Sequence, residues 1–315
     1  MASFLLRRLL TLAASLGVTS VAVFFLLAVL PGSPAAVILG TRATPGAVQA
    51  EKVKLGLTAP LWDRYGHWIA GLLSGNPGVS YISQRPIGPQ IGQALSVTGP
   101  LVGLGLTLGL LGGGVLGVLA ALRNRRVSGA LLSSLGQIGL AVPNFVAGIL
   151  LVIVVGVKLH WLPTGGFNGW SQGVGPALRQ LALPALALGI AEAAIISRFV
   201  RSSVVEVLQS DFLRTARAKG LRLGQALVRH GLRNAALPVV TVLGLELAGL
   251  LVGAIVVEQV FNLPGLGLLL IDAIDNRDII LVQDVVMLLA GTVLVVNTLV
   301  DVSYRLLDPR IGLDA

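Results

Sequence analysis

The chain is expected to be an all-α integral membrane protein of six transmembrane helices, with both ends in the cytoplasm and a small extracytoplasmic domain after the first helix. Three observations predict this. First, 55% of the 315 residues are hydrophobic and only 12% are charged, where a soluble domain carries roughly 25% charged residues; mean hydropathy is +0.88. Second, the apolar residues form long uncharged runs, each near the ~20 residues that cross a hydrocarbon core at about 1.5 Å rise. Third, the 40 glycines and 15 prolines suit a bilayer, where small residues let helices approach and neighbours re-satisfy freed backbone groups.

The first run, 9–30, follows Arg7 and Arg8 and ends in Leu30-Pro31-Gly32-Ser33-Pro34. It is too long for a signal-peptide core and lacks a small-x-small cleavage site, so it is read as an uncleaved first helix. Residues 1–30 thus form the N-terminus and first span. Residues 31–96 turn polar and form the extracytoplasmic domain, with a short helix over 45–55 and an amphipathic one over 61–73 carrying Trp62, Tyr65 and Trp68. The core domain, 97–315, holds the remaining spans: 97–122, 131–157 with a kink at Pro143, 181–200, 238–260 and 280–302. Its cytoplasmic segment is 201–237. A loop over 160–179 and an acidic, turn-rich loop over 261–284, with Asp272, Asp275, Asp278 and Asp284, face outside.

Orientation follows from lysine and arginine. With the N-terminus inside, 15 of the 23 basic residues fall on the cytoplasmic side, and five of the other eight lie in the long 31–96 segment, where charge bias is weak. The net charge of +9 is accounted for by these loops rather than by nucleic acid. Cysteine is absent, which excludes disulfides and thiolate chemistry. No Gly-x-x-x-x-Gly-Lys-Ser/Thr phosphate loop occurs, and His67, His160 and His230 lack ligand spacing. Neither a catalytic set nor a metal site is expected.

The informative cytoplasmic element runs Ser210, Asp211, Phe212, Leu213, Arg214, Thr215, Ala216, Arg217, Ala218, Lys219, Gly220. Ser210 is a good N-cap, Asp211 sits in the positive first turn, Lys219 in the negative last turn, and Gly220 supplies a left-handed stop. Phe212, Leu213 and Ala216 are expected on one face, Arg214 and Arg217 on another. A second helix, 223–233, returns toward Pro238. Such a helix suits docking into a groove of a partner protein; the pattern equally suits a basic helix lying on anionic lipid.

This segment resembles the Glu-Ala-Ala loop of ATP-binding-cassette (ABC) importer permeases. Arg214-Thr215-Ala216 stands at the Glu-Ala-Ala place, followed by Gly220 and Leu237-Pro238. Arginine for glutamate and the longer glycine-to-proline spacing are familiar in the peptide and nickel branch. The likeness extends through Leu55-Gly56-Leu57, Val142-Pro143-Asn144-Phe145, Trp161-Leu162-Pro163, the run Arg229 to Ala235, the run Glu258 to Gly267, and Leu307-Asp308-Pro309-Arg310. The chain is thereby similar to the B-type inner-membrane permease of dipeptide/oligopeptide importers, in the bacterial cytoplasmic membrane. The resemblance implies the type I importer fold and a pathway shared with a C-type permease. It also implies two ATPase domains or subunits that bind the ATP and magnesium, an external substrate-binding protein, and no cofactor in this chain. By the same likeness, Asp211 to Gly220 is the coupling helix, and nickel or glutathione import is the alternative substrate assignment.

Two further features are candidates. Gly105, Gly109, Gly113 and Gly117 are spaced four apart and make one smooth helix stripe, suited to close packing, with a pathway hinge as rival. Glu192, Glu246 and Asp301 fall in or near spans, where carboxylates face protein or a water-filled path. Glu246 is the pathway candidate, as an acceptor for a peptide amine or as a structural glutamate; Asp301 is expected to pair with Arg305. The 261–284 loop and the 31–96 segment are expected to form the platform for a binding protein. A secondary transporter or channel is the rival of another class, but it would need paired repeats with broken helices, and no such halves are evident.

Overall fold

The computed structural model describes residues 2–29 and 32–307; side chains beyond 303 lie outside the description. The Asp301–Arg305 pair, the Leu30-Pro31 step and the 308–310 motif therefore fall outside the described residues. Helices dominate: α1 (Ala2–Val29), α2 (Pro34–Leu39), α3 (Pro45–Lys54), α4 (Leu61–Leu73), α5 (Ile87–Leu122), α6 (Val127–Ala141), α7 (Asn144–Leu151), α8 (Val174–Gln209), α9 (Asp211–Ala218), α10 (Leu223–Ala226), α11 (Leu232–Phe261), α12 (Leu266–Asp275) and α13 (Ile279–Leu307). Five helices are long and apolar enough to cross a membrane, and the α6–α7 pair makes a sixth span if counted as one.

That pair departs from the expected kink. The two helices meet at 100°. Proline disfavours the α region at the residue before it and offers no N–H to continue a helix. Val142 is accordingly extended, φ −91° and ψ 116°, Pro143 has ψ 145°, and Asn144 starts a new helix. Pro100 and Pro184 remain inside α5 and α8.

The chain divides into two compact units. One comprises Met1–Thr98 and Pro264–Thr298. Its centre is an aromatic cluster between α1 and α4: Phe24 meets Tyr65 edge-on at 5.4 Å, Phe25 meets Trp62 at 4.8 Å, and Ser20 Oγ lies 2.9 Å from Tyr65 Oη. The acidic stretch expected as an exposed loop behaves otherwise. It contains α12, whose Leu266, Gly267, Leu270 and Ala273 are buried at helical spacing, while Asp272 and Asp275 lie on the exposed side. Asp278 and Asp284 are each only 2% exposed. Asp278 accepts from the Ser80 hydroxyl and, at 3.2 Å, from the Tyr81 amide. Asp284 Oδ1 accepts from the Trp68 indole at 2.7 Å, and its Oδ2 has no partner among the described residues.

Trp68→Phe is therefore expected to strip a buried carboxyl of its only donor among the described residues, at a cost of about 1–3 kcal/mol. The added change Asp284→Leu should recover most of it, since replacing both partners removes the orphan. Thermal unfolding of the purified single and double variants in detergent checks this.

The other unit comprises Gly99–Leu263 and Leu299–Ala315. Here α8 is the hub, packed by α6, α7 and α11. Its buried residues, such as Leu181, Leu188, Ile196 and Val204, supply the core. Two helices outrun their apolar runs: α5 starts at Ile87 rather than near residue 97, and α8 continues to Gln209. Arg201 thus lies within α8, where it donates to Asn124 Oδ1 at 2.7 Å. Instead of a separate 223–233 helix, α10 passes through a π-turn, Leu227–Gly231, into α11.

Candidate functional site

The segment between α8 and α11 is built around α9. Ser210 is extended at φ −70° and ψ 147°, the backbone of an N-cap, but its hydroxyl donates back to the Val207 carbonyl at 2.6 Å rather than capping α9. Asp211 opens the helix and Lys219 closes it. Gly220 follows at φ +94°, a left-handed conformation that glycine adopts without steric cost.

One side of α9 is anchored. Leu213 is 0% exposed, and with Ala216 and Ala226 it forms a small cluster that Leu208, Leu221 and Leu223 complete. Phe212 does not share this face and is 42% exposed, because it precedes Leu213 by one residue, about 100° around a helix of 3.6 residues per turn. Arg214, Thr215, Arg217, Lys219 and Gly220 are exposed as well. Arg214 Nη1 reaches Asp211 Oδ1 at 3.4 Å. The arrangement is a short helix rooted by two apolar side chains, presenting a phenyl ring and several cations.

The glycine stripe of α5 lies against α8. A Cβ at Gly113 would come 2.7 Å from the Ala193 carbonyl, and one at Gly117 would come 2.7 Å from the Ser197 carbonyl. At Gly105 the obstacle is Leu188 Cβ at 2.9 Å, and at Gly109 it is Glu192 Cγ at 2.5 Å. Glu192 is 4% exposed, and its Oε1 has no partner among the described residues. Glu246 lies on α11 at intermediate exposure, and α11 packs against α8, which carries Glu192. The structure thus brings Gly109, Glu192 and Glu246 into one neighbourhood. Sequence reasoning noted each of them without connecting them, since no periodicity relates residues on three helices.

Asn144 carries no signal of its own in the sequence. As the first residue of α7 it packs on α11, where a Cβ at Gly253 would meet its Nδ2 at 2.6 Å. Among the described residues no group of His, Cys, Asp and Glu is arranged to hold a metal.

Comparison with known proteins places this architecture. Residues 113–313 match the family described as the binding-protein-dependent transport system inner membrane component, and residues 1–97 match its N-terminal family. A probable peptide ABC transporter permease protein, y4tP, of Sinorhizobium fredii is 39% identical over 311 residues, 99% of each chain. The glutathione transport system permease protein GsiC of Escherichia coli K12 is 38% identical, again over 99% of each chain. A solved amino acid ABC transporter chain aligns with TM-score 0.51 at 20% identity, covering 69% of this chain and 94% of that one; at that identity the likeness is one of fold. The chain belongs to the binding-protein-dependent transport family as a multi-pass inner-membrane permease of an ABC importer.

Proposed function

We propose that this permease forms, with a C-type permease, an alternating-access path for di- and oligopeptides, and that α9 is the helix through which ATPase subunits drive it. In this reading both termini face the cytoplasm, as the lysine and arginine distribution favours. The ATP and magnesium belong to the ATPases, this chain carries no cofactor and hydrolyses nothing, and an external binding protein delivers the peptide. The observation that carries the coupling role is the split character of α9: Leu213 and Ala216 root it in its own chain, while Phe212, Arg214 and Arg217 remain available. A helix held on one side and free on the other suits insertion into a partner's groove.

Charge reversal, Arg214→Glu with Arg217→Glu, is expected to lower peptide-stimulated ATP hydrolysis by the reconstituted importer at least tenfold while leaving the permease folded. Unchanged coupled hydrolysis would remove α9 from the role.

Glu246 is proposed to line the path and accept the ammonium of the cargo. Glu246→Gln is then expected to slow uptake of cationic peptides several-fold more than that of neutral ones, measured with labelled peptides in proteoliposomes.

A second substrate reading rests on the E. coli relatives, which are named glutathione permeases. Uptake of glutathione, graded peptides and nickel, with and without the binding protein, separates these cargoes.

A further inference from the structure

Within the unit of Met1–Thr98 and Pro264–Thr298 lies a cleft of about 500 Å³, inside the roughly 300–1,000 Å³ range of small-ligand sites. Phe24, Asp63, Arg64, Trp68, Tyr81 and Gln283 are among its walls. The polar groups behind it are committed. The Trp68 indole is spent on Asp284, and the Asp278 carboxylate on Ser80 and the Tyr81 amide.

The groups facing the cleft are not. Asp63 and Arg64, consecutive on α4, form no ion pair among the described residues. Arg64 instead rests over the Phe24 ring, 5.9 Å from its centroid, a contact that orients a guanidinium without neutralising it. Gln283 is 4% exposed and lines the cleft. An amide in such a wall can both donate and accept a hydrogen bond. Burial pushes the Tyr81 phenol above its usual range despite the opposing charge of Arg64, so it stays a neutral hydroxyl at physiological pH.

One anion and one cation outside any ion pair, an amide and aromatic walls make a receptor for a ligand carrying both charges. We infer that this cleft binds a short zwitterionic peptide, its ammonium at Asp63 and its carboxylate at Arg64. The choice of a peptide rests on the import function proposed above; the cleft and its charges do not.

The test is calorimetric titration of the purified full-length chain with alanyl-alanine, its N-acetyl derivative and its C-terminal amide. Each cap is expected to weaken binding at least tenfold. Arg64→Gln should erase the difference between acid and amide, and Asp63→Asn the difference between free and acetylated amine, whereas Arg85→Gln, outside the cleft, should preserve both. Equal affinity for capped and uncapped peptides overturns the assignment. So does retention of both cap penalties in the two variants, or inorganic phosphate displacing the peptide at lower concentration than the peptide itself binds. Dipeptide uptake by the assembled importer separates the two proposals. Uptake without cap penalties removes this site and leaves import standing; cap penalties without uptake do the reverse.

Discussion

Gly113→Leu is expected to prevent recovery of a folded permease. Even a bare Cβ at this position would stand 2.7 Å from the Ala193 carbonyl and 2.8 Å from Ile196 Cβ. A backbone carbonyl cannot rotate away, so α5 must separate from α8. Overpacking a well-fitted contact costs about 1–3 kcal/mol for smaller insertions, and four added carbons exceed that case. Two comparisons sharpen the expectation. Gly109→Ala adds one carbon rather than four and should be milder, yet still costly, because a Cβ there would stand 2.6 Å from Glu192 Cβ, which no rotamer change moves. Gly114→Ala has nothing within 4 Å and should gain about 0.5–1 kcal/mol by replacing a helical glycine. Monodisperse yield and melting temperature in detergent rank the three. Equal yields for Gly113→Leu and Gly114→Ala would show that the α5–α8 contact does not hold the fold.

The second large effect concerns neighbouring residues of α9. Leu213→Ala empties a fully buried position, for which about 2–5 kcal/mol is usual, and it should release α9 from Ala226 and Leu223. Amide exchange across residues 211–218 is expected to accelerate by orders of magnitude. Phe212→Ala, at a residue 42% exposed, should leave that exchange unchanged yet weaken association with the ATPase subunits about tenfold, as loss of an aromatic anchor does at protein interfaces. If Phe212→Ala speeds exchange and leaves association intact, the ring serves its own chain and not a partner.

What the sequence discloses here depends on where the determining interaction lies. The boundaries of α4 and α9 are legible because local chemistry sets them: an apolar period in one, and in the other an extended residue before the first turn and a left-handed glycine after the last. The long spans are legible because hydrocarbon demands uncharged runs. The ends of α5 and α8 are not, since Ile87 and Gln209 lie beyond the apolar stretch and tertiary packing extends each helix. Within 261–284, four aspartates suggest a solvated loop. Asp278 and Asp284 are instead buried by donors about 200 residues away along the chain, and α12 forms on an apolar face that the intervening acids obscure. The misplacement of Phe212 has a simpler origin: residues 212 and 213 cannot both occupy the middle of a narrow helical face. Similarly, Pro143 signals an interruption, but only the extended Val142 converts it to a right-angled turn.

That turn has a consequence for what surrounds the protein. A lipid tail offers no hydrogen bond, so wherever the Ala141–Asn144 corner lies at hydrocarbon depth, the last carbonyls of α6 and the first amides of α7 must find polar company elsewhere. Leu140, Pro143 and Phe145 are exposed on this chain alone. At that depth, acyl chains must be displaced from this patch by a neighbouring subunit or by water.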